Sequence, residues 1–153
     1  MYKSTLEPVL MHRKMVEENL QRELAVLKEA LTAEKQKLQM ERNRKSECIA
    51  ELRQREKEGT SVSDILLYMP FIRQMSKNIE RQEERVRTAE KLVRQKREDL
   101  VEATKRKKVL EKVKEKALEA YNQTLGRKEQ NFLDEMGICG FNRKSHADVE
   151  VGK

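Results

Sequence analysis

Leu6, Leu10, Leu20, Leu24, Leu27, Leu31, Leu38, Cys48 and Leu52 fall on a single 3-4 spacing in the early part of the chain. That spacing is the a/d seam of a coiled coil, in which a narrow apolar stripe faces a partner helix. Arg13, Glu17, Glu34, Glu41 and Lys45 interrupt the stripe, so the seam is weak on both sides of its central leucine cluster. A second stripe reads Tyr68, Ile72, Met75, Ile79, Val86, Ala89, Val93, Leu100, Ala103, Leu110, Ala117 and Tyr121, with Gln82, Lys96 and Lys107 in its gaps. Val109 and Val113 predict a local shift of register. Two such stripes restrict the chain to long helices packed along a seam.

The supply of residues fits that restriction. Hydrophobic residues make up 37% of the 153, aromatics 4% and charged residues 40%. Average domains hold about 45–50% apolar and about 25% charged residues, so a compact core built from this inventory would be thin. An elongated fold needs only the seam. With 2 prolines and 5 glycines, long stretches run without a breaker.

Glu58-Gly59-Thr60-Ser61-Val62-Ser63-Asp64 is the one polar, small-residue break in the middle of the chain. Gly59 suits the left-handed position just past a helix end, and Ser61 or Ser63 can cap the helix that follows. These signals predict an all-α, long two-helix antiparallel coiled-coil hairpin over residues 1–136. Its helix 1 covers about 5–57, its turn about 58–63 and its helix 2 about 64–136. Ser4 with Glu7 suggests a capping box at the start of helix 1, where Pro8 is tolerable. Pro70 should kink helix 2 just above the turn. Residues 137–153 hold three glycines and no periodicity, which predicts a disordered, flexible C-terminal tail.

Pairs of Glu followed four residues later by Arg or Lys line the outer faces: Glu18/Arg22, Glu41/Lys45, Glu51/Arg55, Glu83/Arg87, Glu90/Arg94 and Glu102/Arg106. Each contributes about 0.2–0.5 kcal/mol and supports helix without deciding the fold. Net charge is +7, spread as 13 basic and 11 acidic residues over 1–58, 18 and 14 over 59–136, and 3 and 2 beyond. Nucleic-acid domains usually gather positive charge on one face, so this mixture reads as solvated helix. Lys105-Arg106-Lys107-Lys108 is the sharpest basic feature. It can be a solvated face between Glu102 and Glu111, or a grip on an acidic protein, an acidic membrane or nucleic acid.

Catalysis needs a pocket that holds a nucleophile, base or metal, and a two-helix hairpin offers none. The expectation is no enzymatic activity, no cofactor, no metal and no small-molecule substrate. His12 and His146 lie near opposite ends of the chain, and Cys139 with His146 lacks a zinc-ligand spacing. Cys48 and Cys139 are too few and too far apart for a disulfide framework, and no apolar run approaches the ~20 residues that span a bilayer. A cytosolic chain with free thiols follows.

The two helices are unequal. At 1.5 Å per residue the first would span roughly 80 Å and the second roughly 110 Å. Folding back near residue 60 sets Leu6 beside about Lys114 and leaves the end of helix 2 without an intramolecular partner. That overhang carries Leu118, Tyr121, Leu125, Phe132 and Leu133, too apolar for a lone solvated helix, and reads as a protein-binding surface. Above the turn, Phe71, Met75, Asn78 and Gln82 follow at spacings of 4, 3 and 4 and form a strip. Met75 and Gln82 can belong to the seam with Phe71 covering it, or the strip can dock a protein, with Phe71 and flexible Met75 as anchors.

Helix 2 also carries a specific succession. Tyr68, Phe71, Ile72, Met75, Ile79 and Gln82 open it; Ala103, Arg106-Lys107, Leu110-Glu111-Lys112 and Lys114-Glu115-Lys116 follow. Then come Tyr121, Arg127, Glu129-Gln130 and Leu133-Asp134-Glu135. This resembles the flagellar export protein FliJ family, soluble components of the flagellar type III secretion machinery, over residues 64–136. The resemblance implies a stalk that enters the hexameric ring of the export ATPase, engages the cytoplasmic domain of the export gate and binds export chaperones. It implies a place at the cytoplasmic face of the membrane at the flagellar base. On that basis Phe71, Met75, Asn78 and Gln82 are candidates for the gate, and Tyr121, Leu125, Arg127, Gln130, Phe132 and Leu133 for the ATPase ring. A coiled-coil scaffold that dimerises, the equivalent stalk of a virulence type III system and a basic-helix nucleic-acid binder are the competing readings.

Overall fold

The computed structural model describes residues 5–150, with side chains as far as residue 143. Two helices account for nearly all of it: α1 (Glu7–Lys57) and α2 (Val62–Glu150). No strand occurs among the described residues. The hairpin expected from the two stripes is the architecture found, with the second helix the longer.

The turn follows from three residues. Gly59 has φ +86°, the left-handed conformation that terminates helices. Its N–H donates to the Glu56 carbonyl at 3.3 Å, and the Thr60 N–H donates to the Arg55 carbonyl at 3.2 Å. This pair of bonds is the Schellman closure of α1. Ser61, rather than Ser63, caps α2: its Oγ accepts the Asp64 N–H at 3.3 Å and donates to the Asp64 carboxylate at 2.9 Å. The reciprocal Ser61–Asp64 contact satisfies an orphan donor of the first turn.

The chain packs as two units. In the unit of residues 14–104, cross-helix contacts fix the antiparallel sense. As the α1 partner steps back through Glu51, Arg42, Lys35, Glu23 and Glu17, the α2 partner advances through Tyr68, Glu83, Glu90, Lys96 and Thr104. Leu24, Leu38 and Leu52 of α1 and Val86, Val93 and Ala103 of α2 are buried along the seam. Each pair of facing apolar side chains removes area worth about 25 cal/mol per Å². The other apolar seam positions of this unit are half-buried, including Cys48, which is free. The polar interruptions sit in the seam too. Glu17, Glu34, Glu41, Lys45 and Lys96 are half-buried, and Gln82 is buried.

In the unit of residues 1–13 and 105–153, Leu10 is buried and Glu7 is ion-paired to Lys114. Lys114 is the residue the fold-back placed beside Leu6. The register shift expected at Val109 and Val113 does not occur, since both are exposed while Leu110 and Ala117 stay half-buried. The 3-4 alternation instead continues unbroken through Lys107, Leu110, Lys114 and Ala117, with lysine stems lining the seam.

Helix α2 starts at Val62 and contains Pro70, as the expected helix 2 does. It also passes Met136, and over 137–143 the chain is exposed helix with Gly137 and Gly140 at negative φ. A helical glycine costs only about 1 kcal/mol, and no proline follows to stop the helix. The last part of the expected tail, 151–153, lies outside the described residues, as does Ser4 of the suggested capping box. Finally, Glu83 pairs with Arg42 and Glu90 with Lys35 across the seam, not with Arg87 and Arg94 on their own helix. These glutamates flank the seam, where the facing helix brings a cation closer than the next turn does. Arg87 turns to Glu84, and Glu51–Arg55 shows the expected i,i+4 geometry with an ion pair at 3.2 Å.

Candidate protein-docking surfaces

Tyr68 locks the first turns of α2 against α1. Its hydroxyl donates to Glu51 at 3.1 Å, and the Arg55 guanidinium lies over its ring, 5.5 Å from the centroid. Burial, then the bond to Glu51, push the Tyr68 phenol above its ordinary value.

Beside this lock, the four residues of the Phe71 strip divide. Phe71 is 65% exposed on the flank of α2. Asn78 is half-buried and accepts the Gln74 amide at 3.1 Å. Met75 is half-buried in the seam, and Gln82 is buried there. The Gln82 amide donates to the Glu34 backbone carbonyl at 3.0 Å and to the Glu34 carboxylate. That donation holds the Glu34 carboxyl below its ordinary value; partial burial works against it, and Lys37 assists. The strip is therefore one outward aromatic, one edge amide and two residues committed to the seam.

Along the end of α2 all six candidates are exposed: Tyr121, Leu125, Arg127, Gln130, Phe132 and Leu133. Gln130 donates to Asp134 at 3.3 Å. Tyr121 is at 38%, Leu125 at 44%, and Phe132 and Leu133 pass 60%. Met136, Ile138 and Phe141 extend the same uncovered apolar character. Sequence reasoning set Met136 at the end of helix 2 and Ile138 and Phe141 in the tail, and named none of them.

It also missed Val62, Leu66, Leu67 and Met69, all exposed beside the turn. The signal was present in Ile65-Leu-Leu-Tyr-Met-Pro-Phe-Ile72, eight consecutive apolar residues. A two-helix seam covers about two of every seven positions, so most of such a run must stay uncovered.

The depressions lined by Arg22, Glu23, Val26, Leu27 and Lys96, and by Glu41, Asn78, Arg81, Gln82 and Arg85, are open flank grooves. Among the described residues no three His, Cys, Asp or Glu side chains converge on a point, and no helix is long and apolar enough to cross a membrane.

Paired helices on a heptad seam, with apolar faces left uncovered near the turn and along the end of α2, define a coiled-coil interaction protein. The chain belongs to the flagellar FliJ protein family, whose model matches residues 2–146. It is thereby a structural component of the flagellar type III protein export apparatus and associates with that machinery. No curated protein and no solved structure matches it.

Proposed function

We propose that this protein is the central stalk of the hexameric export ATPase, joins it to the cytoplasmic domain of the export gate, and binds export chaperones. It works without catalysis or cofactor, in the cytoplasm at the membrane face of the flagellar base. The observation that carries the reading is the uncovered end of α2. Tyr121, Leu125, Phe132 and Leu133 are exposed with Arg127 and Gln130 among them, on a helix that needs apolar cover. The ATPase ring is the partner of matching chemistry that the family supplies. Phe71, backed by Met75, Asn78 and Gln82, is the face for the gate. Its ring stands out from a base that the Gln82–Glu34 bond holds in place.

The test is stimulation of the purified export ATPase by the full chain and by a chain ended at Ala120. The shortened chain should keep its helicity and lose stimulation. Undiminished stimulation would place the ring contact elsewhere, and a full-length dimer that dissociates on the same truncation would favour the scaffold reading.

A further inference from the structure

Within the unit of residues 14–104 the two flanks of the seam are built differently. On one flank the helices are stitched together, Lys35 to Glu90 at 3.2 Å and Arg42 to Glu83 at 2.8 Å. On the other flank, α2 presents Phe71, Asn78, Arg85 and Leu92, each just before a seam position and one heptad apart. At the same heptad spacing α1 presents Ala30, Lys37 and Arg44. Over this span no ion pair crosses the second flank among the described residues. Lys37 takes Glu34 and Arg44 takes Glu41, both on their own helix.

The unstitched flank is a groove. One depression is lined by Glu41, Asn78, Arg81, Gln82 and Arg85. The next has Ala30 of α1 and Thr88, Ala89 and Leu92 of α2 in its lining, and shares Arg81 and Arg85 with the first. Apolar side chains stand uncovered at both ends, Leu67 and Phe71 at one and Leu92 at the other. Phe71 and Leu92 are three heptads apart, roughly 32 Å along the helix.

The charge inside the groove names what it takes. Three carboxylates border it, and each is already engaged. Glu34 accepts from Gln82 and Lys37, Glu41 pairs with Arg44, and Glu84 accepts twice from Arg87. Arg81 and Arg85 are exposed and make no ion pair among the described residues. A straight groove with apolar ends and two unanswered guanidiniums between them matches a helix that carries carboxylates in its middle. A second copy laid groove to groove in full overlap would bring four guanidiniums together, and a shorter overlap would leave an apolar end uncovered.

We propose that the groove from Phe71 to Leu92, floored by Ala30 and Ala89, seats one acidic amphipathic helix of a partner protein as a third helix beside α1 and α2. The assignment rests on Phe71 being the anchor for the export gate, whose cytoplasmic domain then supplies that helix.

Binding of the purified gate cytoplasmic domain to the full chain is measured by calorimetry at about 0.1 M and about 0.5 M salt. Circular dichroism checks the helicity of each variant. Arg81→Glu with Arg85→Glu should weaken binding at least tenfold at the lower salt and much less at the higher. Leu92→Glu should also weaken it at least tenfold. Arg73→Glu with Arg94→Glu, the same charge change on the stitched flank, should leave it within about twofold. Hydrogen exchange of the gate domain should slow over one stretch of about 20 residues that contains Asp or Glu. Loss with Phe71→Ala but none with the Arg81–Arg85 and Leu92 variants overturns the groove and leaves the gate contact at Phe71 standing. No loss with Phe71→Ala overturns the gate reading itself. Equal loss from the Arg73–Arg94 variant, or a protected stretch without carboxylates, overturns the acidic helix. A dimer in sedimentation that Leu92→Glu breaks, with no binding of the gate domain, overturns the proposal in favour of a second copy.

Discussion

Gln82 reaches from α2 to the Glu34 backbone carbonyl at 3.0 Å and, with the same nitrogen, donates to the Glu34 carboxylate. A buried amide thus satisfies the carboxylate of Glu34, one of three glutamates that interrupt the α1 seam. Because the contact depresses the Glu34 carboxyl, its contribution is full above the ordinary value of 4.5 and lost as pH falls through the depressed value. Gln82→Met should lower the melting temperature at neutral pH, and the gap to the parent should narrow on acidification below that range. Melting curves that stay parallel from pH 7 to pH 2 would remove Glu34 from the account.

Tyr68 titrates in the opposite sense. Its phenol is raised, so the stability it contributes is present below its ordinary value of 10.0 and lost as pH rises through the raised value. The parent should lose melting temperature above that pH more steeply than Tyr68→Phe, which keeps the ring under Arg55 but has no proton to lose. Identical alkaline profiles would refute this.

Gly59→Ala isolates the turn. Nothing lies within 4 Å of an added Cβ, so the cost is the left-handed backbone alone, about 1–2 kcal/mol. Chemical denaturation should show that loss with an unchanged slope. A neutral result would mean that the turn relaxes to another closure.

The seam register separates two neighbours on α1. Leu24 is 7% exposed and Val26 65%. Leu24→Ala should cost about 2–5 kcal/mol, and Val26→Ala should stay within about 0.5 kcal/mol. Comparable losses at both sites would mean that the stripe is covered by something other than α2.

Phe71→Ala distinguishes cover from anchor. With the ring 65% exposed, melting should barely move, while binding to the gate's cytoplasmic domain should weaken by more than about 1 kcal/mol. Calorimetry that finds a lower melting temperature and intact binding would return Phe71 to the seam.

What the sequence made legible is what local chemistry decides. The 3-4 stripes, the Gly59 stop and the fold-back that brings Lys114 to the start of α1 depend on residues a few positions apart, and they read directly. Choices between equivalent partners did not. Ser61 and Ser63 are both competent caps, and geometry selects Ser61. Glu83 has Arg87 one turn on, yet takes Arg42 from the facing helix at 2.8 Å, which no single-helix count can anticipate. Helix is found at Gly137 and Gly140, since glycines stop a helix firmly only with a proline to enforce them. The uncovered apolar residues were half-visible: Phe71 and the Tyr121–Leu133 stretch stood out by spacing, while Val62 lay in the expected turn and Leu66 and Met69 in an apolar run read only for its seam positions.

The closure at Gly59 and Ser61 also sets the order in which the molecule assembles. The Tyr68–Glu51 contact joins residues only 17 apart, whereas Lys114–Glu7 spans 107. Closing the longer loop directly would cost about 1.6 kcal/mol more in chain entropy. Zipping outward from the turn avoids that cost, because each pair formed shortens the slack for the next. The first turns of α1 are then the last to close and the first to fray. A partner arriving at the far end of α2 therefore meets the portion of the molecule that opens with the least work.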